Sequence, residues 1–202
     1  MATRGRPKSD QKRTQILEAA ADLFTTQGYA NTSLEQVAAA AGVSKQTIYS
    51  HFDNKADVLR EGVRKRCLEG ELTKEHFDLS LPAPEFLLTF ATRFINTLTS
   101  DTALRMYRLC LNEGERYPEV ARSFYESGPE LVRDALTAYL EAACKRGELR
   151  IENCQVAASQ FLFMVRGLPV DMRLLNVDDR YANVADAQYI QECCDMFLRA
   201  YA

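Results

Sequence analysis

Between Lys45 and Lys55 the chain reads KQTIYSHFDNK. Lys45, Gln46, Thr47, Tyr49, Ser50 and His51 surround one aliphatic residue, Ile48, and Lys55 follows. Ammonium, amide, hydroxyl and imidazole groups in this density suit phosphate oxygens and the edges of bases. Gln46 and Ser50 are four residues apart, so on a helix they share one face, with Lys45 and Thr47 beside them. Rival chemistries have little material. His51 and His76 are the only two histidines, and there is no G-x-S-x-G and no glycine-rich phosphate loop. The six cysteines (Cys67, Cys110, Cys144, Cys154, Cys193, Cys194) lack the spacing of zinc ligands. The expectation is no enzyme activity, no metal and no cofactor.

Short elements must present that polar face. The preceding run, Ala38 to Ala41 and then Gly42, offers small side chains for close helix packing and a residue free to take the left-handed turn. Ser44 caps a helix over about 45–52, and Val43 and Ile48 fill the small core beneath it. Upstream, Ile16, Leu17, Ala20, Leu23 and Phe24 fall at helical spacing over 11–27, with Gly28 as the stop. Thr32 and Glu35 read as a capping box for a helix running to Ala41 with Leu34, Val37, Ala38 and Ala41 inward. Asn54 caps a fourth helix carrying Leu59, Val63 and Cys67. Two short helices joined by a glycine turn have the proportions of a helix-turn-helix, about residues 33–52.

Beyond Ser80-Leu81-Pro82-Ala83-Pro84, helical patterns cover about 85–98, 102–113, 118–145, 153–175 and 185–201. Gly167 and Pro169 are expected to kink or end the helix they fall in. No convincing strand alternation occurs, so the fold class is all-α. A three-to-four-helix head over 11–70 follows a basic arm over 1–10, and a larger helical body spans 71–202. The chain has 202 residues, 47% of them hydrophobic, and a net charge of −3. Charge is uneven: residues 1–66 hold 11 Lys and Arg against 7 Asp and Glu, and the remaining 136 hold 14 against 21. A basic head on an acidic body points to a polyanionic partner for the head. No apolar run approaches a membrane span and the N-terminus lacks a signal-peptide core, so a cytoplasmic location is expected.

The run ILEAAADLFTTQGYANTSLEQVAAAAGVSKQTIYSHFDNKADVL, Ile16 to Leu59, resembles the DNA-binding domain of the TetR/AcrR (tetracycline repressor) family. Its I-L-x-A-A, F-x-x-x-G-Y, T-S-L-x-x-V-A-x-x-A-G-V-S and I-Y-x-H-F-x-x-K-x-x-L carry the likeness. The resemblance implies a transcriptional regulator, usually a repressor. It would bind a palindromic double-stranded DNA operator as a homodimer and be released by a small molecule. Carried over by motif position, Thr32 and Ser33 contact phosphate at a helix N-terminus. Gln46, Thr47 and Ser50 sit at base or phosphate contacts, while Tyr49, His51 and Lys55 anchor phosphates. Lys45 reaches either a guanine edge or the backbone. Arg4 and Arg6, with Lys8, Lys12 and Arg13, form an arm that either lies in a minor groove or is a solubilising tail.

The body gives coarser expectations. Phe90, Phe94, Leu98, Tyr107, Phe124, Leu131, Phe163 and Met164 either line a cavity for an apolar effector or are plain core. Apolar faces with Phe161, Met164 and Leu168 on one helix, and Ile190, Phe197, Leu198 and Tyr201 on the last, either form the dimer bundle the family resemblance implies or cover one subunit's own core. Two other functions compete: a helical carrier protein without DNA affinity, and a regulator gated by oxidation of Cys193 or Cys194.

Overall fold

A computed structural model describes residues 8–177 and 186–202. Arg4 and Arg6 of the basic arm lie outside the described residues. All regular structure among the described residues is helical: α1 (Lys8–Gln27), α2 (Leu34–Ala40), α3 (Lys45–His51), α4 (Lys55–Glu69), α5 (Ala83–Leu98), α6 (Asp101–Glu113), α7 (Pro118–Ser127), α8 (Pro129–Lys145), α9 (Cys154–Leu174) and α10 (Asp186–Tyr201), with a short 3-10 turn at Lys74–His76. None of these helices is long and apolar enough to cross a membrane.

Two compact units emerge, and they are interleaved in sequence rather than divided near residue 70. The first runs to Lys65 and also takes in Arg105–Ser127; the second comprises Arg66–Leu104 and Gly128–Ala202. The first unit's core joins Ile16, Phe24, Leu34, Val37, Ile48, Phe52 and Leu59 to Met106, Leu109, Cys110 and Val120. The second is built on Phe86, Leu87, Phe90, Leu136, Tyr139, Phe161 and Val165, closed by Ile190, Cys194 and Phe197. Each such fully buried large side chain contributes about 1.5–3 kcal/mol. Tyr139 stacks on Phe86 with ring centroids 3.4 Å apart, and its hydroxyl donates to the Leu81 carbonyl at 2.7 Å. A buried phenol therefore keeps a partner.

Two local expectations are corrected. The cap of α2 is Ser33, not Thr32: Gln36 N donates to Ser33 Oγ at 3.2 Å, and Ser33 N donates to Gln36 Oε1 at 2.7 Å. Thr32 is buried, and its hydroxyl is committed to the Gly28 carbonyl at 2.9 Å. The expected helix over 118–145 divides at Gly128, because Pro129 lacks an N–H and restricts the residue before it. By contrast α9 runs through Gly167 and Pro169 without ending. Proline there removes one main-chain donor, and the Pro169 carbonyl is taken by Arg173 Nη1 at 2.7 Å.

The apolar sets of the body are also redistributed. Tyr107 and Phe124 pack edge-on in the first unit, 5.8 Å between centroids. Phe163 is 69% exposed and lines nothing internal. Phe90 and Phe94 are buried core, and Leu98, Leu131 and Met164 pack against it. Phe161, Ile190 and Phe197 also belong to the subunit's own core rather than to a free face, with Phe161 and Phe197 5.0 Å apart in edge contact. Leu168 is exposed, and Leu198 and Tyr201 are half-buried.

Candidate nucleic-acid interface

The turn between α2 and α3 is a Schellman closure. Gly42 has φ +66°, its N–H donates to the Ala39 carbonyl at 3.2 Å, and Val43 N–H donates to the Ala38 carbonyl at 3.0 Å. Half-buried Val43 then packs on the core of the first unit. Ser44 Oγ accepts from Thr47 N at 3.1 Å and starts α3. Within α3 only Ile48 is fully buried, so the helix is fixed by one aliphatic anchor and its caps. Phe52, at its end, is also buried and lies under the Arg13 guanidinium, 5.0 Å from the ring centroid.

This anchoring turns Lys45, Gln46, Tyr49 and Ser50 to solvent, with Thr47 and His51 half-exposed. The Ser50 hydroxyl donates back to the Thr47 carbonyl at 2.7 Å, and the Thr47 and Ser44 hydroxyls are 2.8 Å apart. Gln46 leaves its amide on the open face beside Ser50. A seven-residue helix carrying one buried side chain and a continuous polar face can be inserted into a groove without exposing core.

A second group of residues meets beside it. Tyr29, Asn31, Thr32, Ser33, Tyr49, Asp53, Asn54, Lys55 and Glu119 line one open groove. Thr32, Ser33, Tyr49 and Lys55, expected as phosphate contacts, are thus brought together, but on different terms. Thr32 is a buried strut. Ser33 is engaged in its capping box. Lys55 Nζ donates to the Tyr29 carbonyl at 2.7 Å and lies 4.5 Å from that ring's centroid. Burial holds the Lys55 amine below its ordinary pKa, opposed by the carboxylates of Glu113 and Glu119. The Tyr29 phenol is pushed up to about 12 by burial and by Glu119. His51 stands 6.2 Å from the Phe52 ring, apart from this cluster of bonds.

Glu35, expected in the capping box, has a different part. With Ser33 at the cap, Glu35 faces α3, where its Oε1 accepts from Lys45 Nζ at 2.7 Å and from the Tyr49 hydroxyl at 3.1 Å. Lys45 Nζ also lies 5.8 Å from the Tyr49 ring centroid. The hydrogen bond from Lys45, then Glu35's own backbone N–H and Tyr49, hold the Glu35 carboxyl down at about 2. The same carboxylate raises the pKa of Lys45 and of Tyr49. The sequence signal was a single acid set opposite a basic helix. Glu113 and Glu119 carried no local signal, because they reach this unit from α6 and α7.

Comparison with known proteins is consistent throughout. The family model "Bacterial regulatory proteins, tetR family" matches residues 16–61. The model "AefR-like transcriptional repressor, C-terminal domain" matches residues 85–202. The "Probable acrEF/envCD operon repressor" of Escherichia coli (strain K12) is 27% identical over 160 residues, 75% of this chain and 73% of that protein. Among solved structures, a TetR-family transcriptional regulator from Mesorhizobium loti MAFF303099 superposes with a TM-score of 0.77 at 25% identity, covering 98% of this chain and 100% of that one. The "Flavonoid-responsive Regulator FrrA" superposes with a TM-score of 0.73 at 31% identity, covering 95% of this chain and 97% of that one.

Proposed function

The chain belongs to the TetR family of bacterial regulatory proteins, and we propose that α3 is its sequence-reading helix and that the groove beside it seats a phosphate. The protein is a DNA-binding transcriptional regulator of the repressor type. The observation that carries the residue assignment is the exposed Gln46–Ser50 face on a helix held from below by Ile48 alone. Gln46 suits adenine, Lys45 suits guanine, and the Thr47 methyl suits the thymine methyl. Tyr49 and Lys55 supply phosphate donors at the groove, and His51 adds one at the end of α3. Thr32 acts indirectly by bracing the start of α2.

Two copies act together in this reading. The open sides of α9 and α10 carry Val156, Phe163, Leu168 and Met196, all exposed apolar residues. Val156 and Phe163 are seven residues apart and share one face. We assign the homodimer contact to these residues. A two-fold dimer reads a palindrome, with half-sites about 34–36 Å apart or somewhat more.

The second unit is the proposed seat of a small-molecule effector. Its buried core holds Phe86, Phe90 and Phe94 in near-parallel array, with successive centroids 5.9 and 6.0 Å apart, so that core would open to admit a largely apolar, planar ligand. FrrA, by its name a flavonoid-responsive regulator, supports that class. The test is selection of binding sites from random duplex DNA by the full chain, followed by a screen of apolar aromatic compounds for release of the selected site. Enrichment of a palindrome supports the reading. Recovery of unenriched DNA, or of none, overturns it.

A further inference from the structure

In the first unit, one carboxylate of α2 occupies the two best donors of the α3 face. Glu35 Oε1 accepts from Lys45 Nζ at 2.7 Å and from Tyr49 Oη at 3.1 Å. All three side chains are exposed, so these contacts lie on the surface that would meet DNA rather than beneath it. The carboxylate is ionised at any working pH, because Lys45 and its own backbone N–H hold it far below the ordinary range.

We propose that Glu35 is a specificity-determining residue of the DNA interface: it competes with phosphate for Lys45 and Tyr49 and so suppresses sequence-independent binding. The proposal rests on the assignment of α3 as the DNA-reading helix. Its physical basis is an inequality between two donors. Tyr49 has one hydroxyl proton, so while that proton serves Glu35 it cannot serve a phosphate. Lys45 has three ammonium protons, so it can keep Glu35 and still donate to guanine O6 or N7. What Lys45 loses is net charge, the property that makes an ammonium adhere to any backbone and release counterions. Glu35 therefore removes generic attraction while leaving base-directed hydrogen bonding intact. A glutamate placed so close to DNA also repels phosphate directly, and the experiment must separate that effect from competition.

The test is a double-mutant cycle with the full chain: wild type, Glu35→Gln, Lys45→Ala and the double variant. Glu35→Gln keeps the side-chain volume. Glu18→Gln serves as a control; it removes one charge from the 3.3 Å Glu18–Lys65 pair, which joins α1 to α4 and includes no residue of α3. Binding of a labelled random duplex and of a selected operator is followed by fluorescence anisotropy across a salt series. Thermal melts confirm that each variant is folded.

The expected result is that Glu35→Gln tightens random-duplex binding about 3–10-fold at low salt and steepens the slope of log K against log salt by about 0.9, one phosphate contact. Lys45→Ala should abolish most of the gain that Glu35→Gln produces. The ratio of operator to random affinity should fall in Glu35→Gln. Additive effects of the two substitutions, or an equal gain from Glu18→Gln, would reduce Glu35 to plain repulsion and overturn the proposal. Weaker binding by Glu35→Gln would overturn it in the other direction, making Glu35 an organiser of Lys45. Wild type that binds neither duplex in a salt-dependent way would remove the DNA-reading assignment itself, a result distinct from either.

Discussion

Lys55 Nζ is tied to Tyr29 twice, by a 2.7 Å hydrogen bond to its carbonyl and by a 4.5 Å approach to its ring. The two residues are 26 apart in sequence, so the bond joins the first turn of α4 to the segment between α1 and α2. A cation so placed presents charge to the groove from a fixed position instead of a flexible stem. Ser33, from the second of these segments, and Tyr49, from α3, line the same groove.

Lys55→Met is therefore expected to act on every duplex about equally. Affinity for random and operator DNA should fall together, and the salt slope should flatten by about 0.9. The lost bond to Tyr29 should lower the head's stability by about 1 kcal/mol. Anisotropy titrations over a salt series, paired with thermal melts, check both. An unchanged slope would mean that Lys55 is a structural brace only.

The Glu35 network gives a pH prediction with a definite sign. Its folded pKa, about 2, lies below the ordinary 4.5. The folded state thus binds its proton less readily than the unfolded chain. The stabilisation from this carboxylate is complete above about pH 4.5 and is lost as pH falls toward 2. A carbon-13 NMR titration of the Glu35 carboxyl should show a midpoint well below that of an unpaired glutamate. Lys45→Ala should return it toward the ordinary value. A midpoint already ordinary in wild type would contradict the contact.

Subunit folding and dimerisation should separate between two phenylalanines. Phe197 is 4% exposed, 5.0 Å from Phe161 and 4.8 Å from Tyr201. Phe197→Ala should cost about 3–5 kcal/mol of subunit stability. Phe163, on the open side of α9, should tolerate Phe163→Glu with little loss of stability but with weaker association. Sedimentation equilibrium and chemical denaturation distinguish the two. Equal destabilisation by both would place Phe163 in the core.

The first unit was legible because its signals are local. Gly42, Ser44 and Ile48 state the turn, the cap and the anchor within seven residues, and each stands where its residue type required. The cap of α2 was displaced by one residue for an equally local reason. Thr32 and Ser33 are both capping types, and only burial of Thr32 against Gly28 decides between them. In the body, apolar stripes at helical spacing say that a face is covered but not by what. Phe161 and Phe197 cover their own subunit, whereas Phe163, two residues from Phe161, faces out. The groove's acidic wall was out of reach for another reason. Glu119 lies 64 residues beyond Lys55, and only the fold brings α7 into the first unit.

Sequence reading by α3 is tested most directly with Gln46→Ala on the selected operator. Competition binding is measured against every single-base variant of one half-site. The prediction is a loss of about 1–3 kcal/mol on the preferred operator, relaxed preference at one or two symmetric positions, and little change on random DNA. A uniform loss across all variants and random DNA would contradict it: Gln46 would then be a backbone contact, and α3 would hold DNA without reading it.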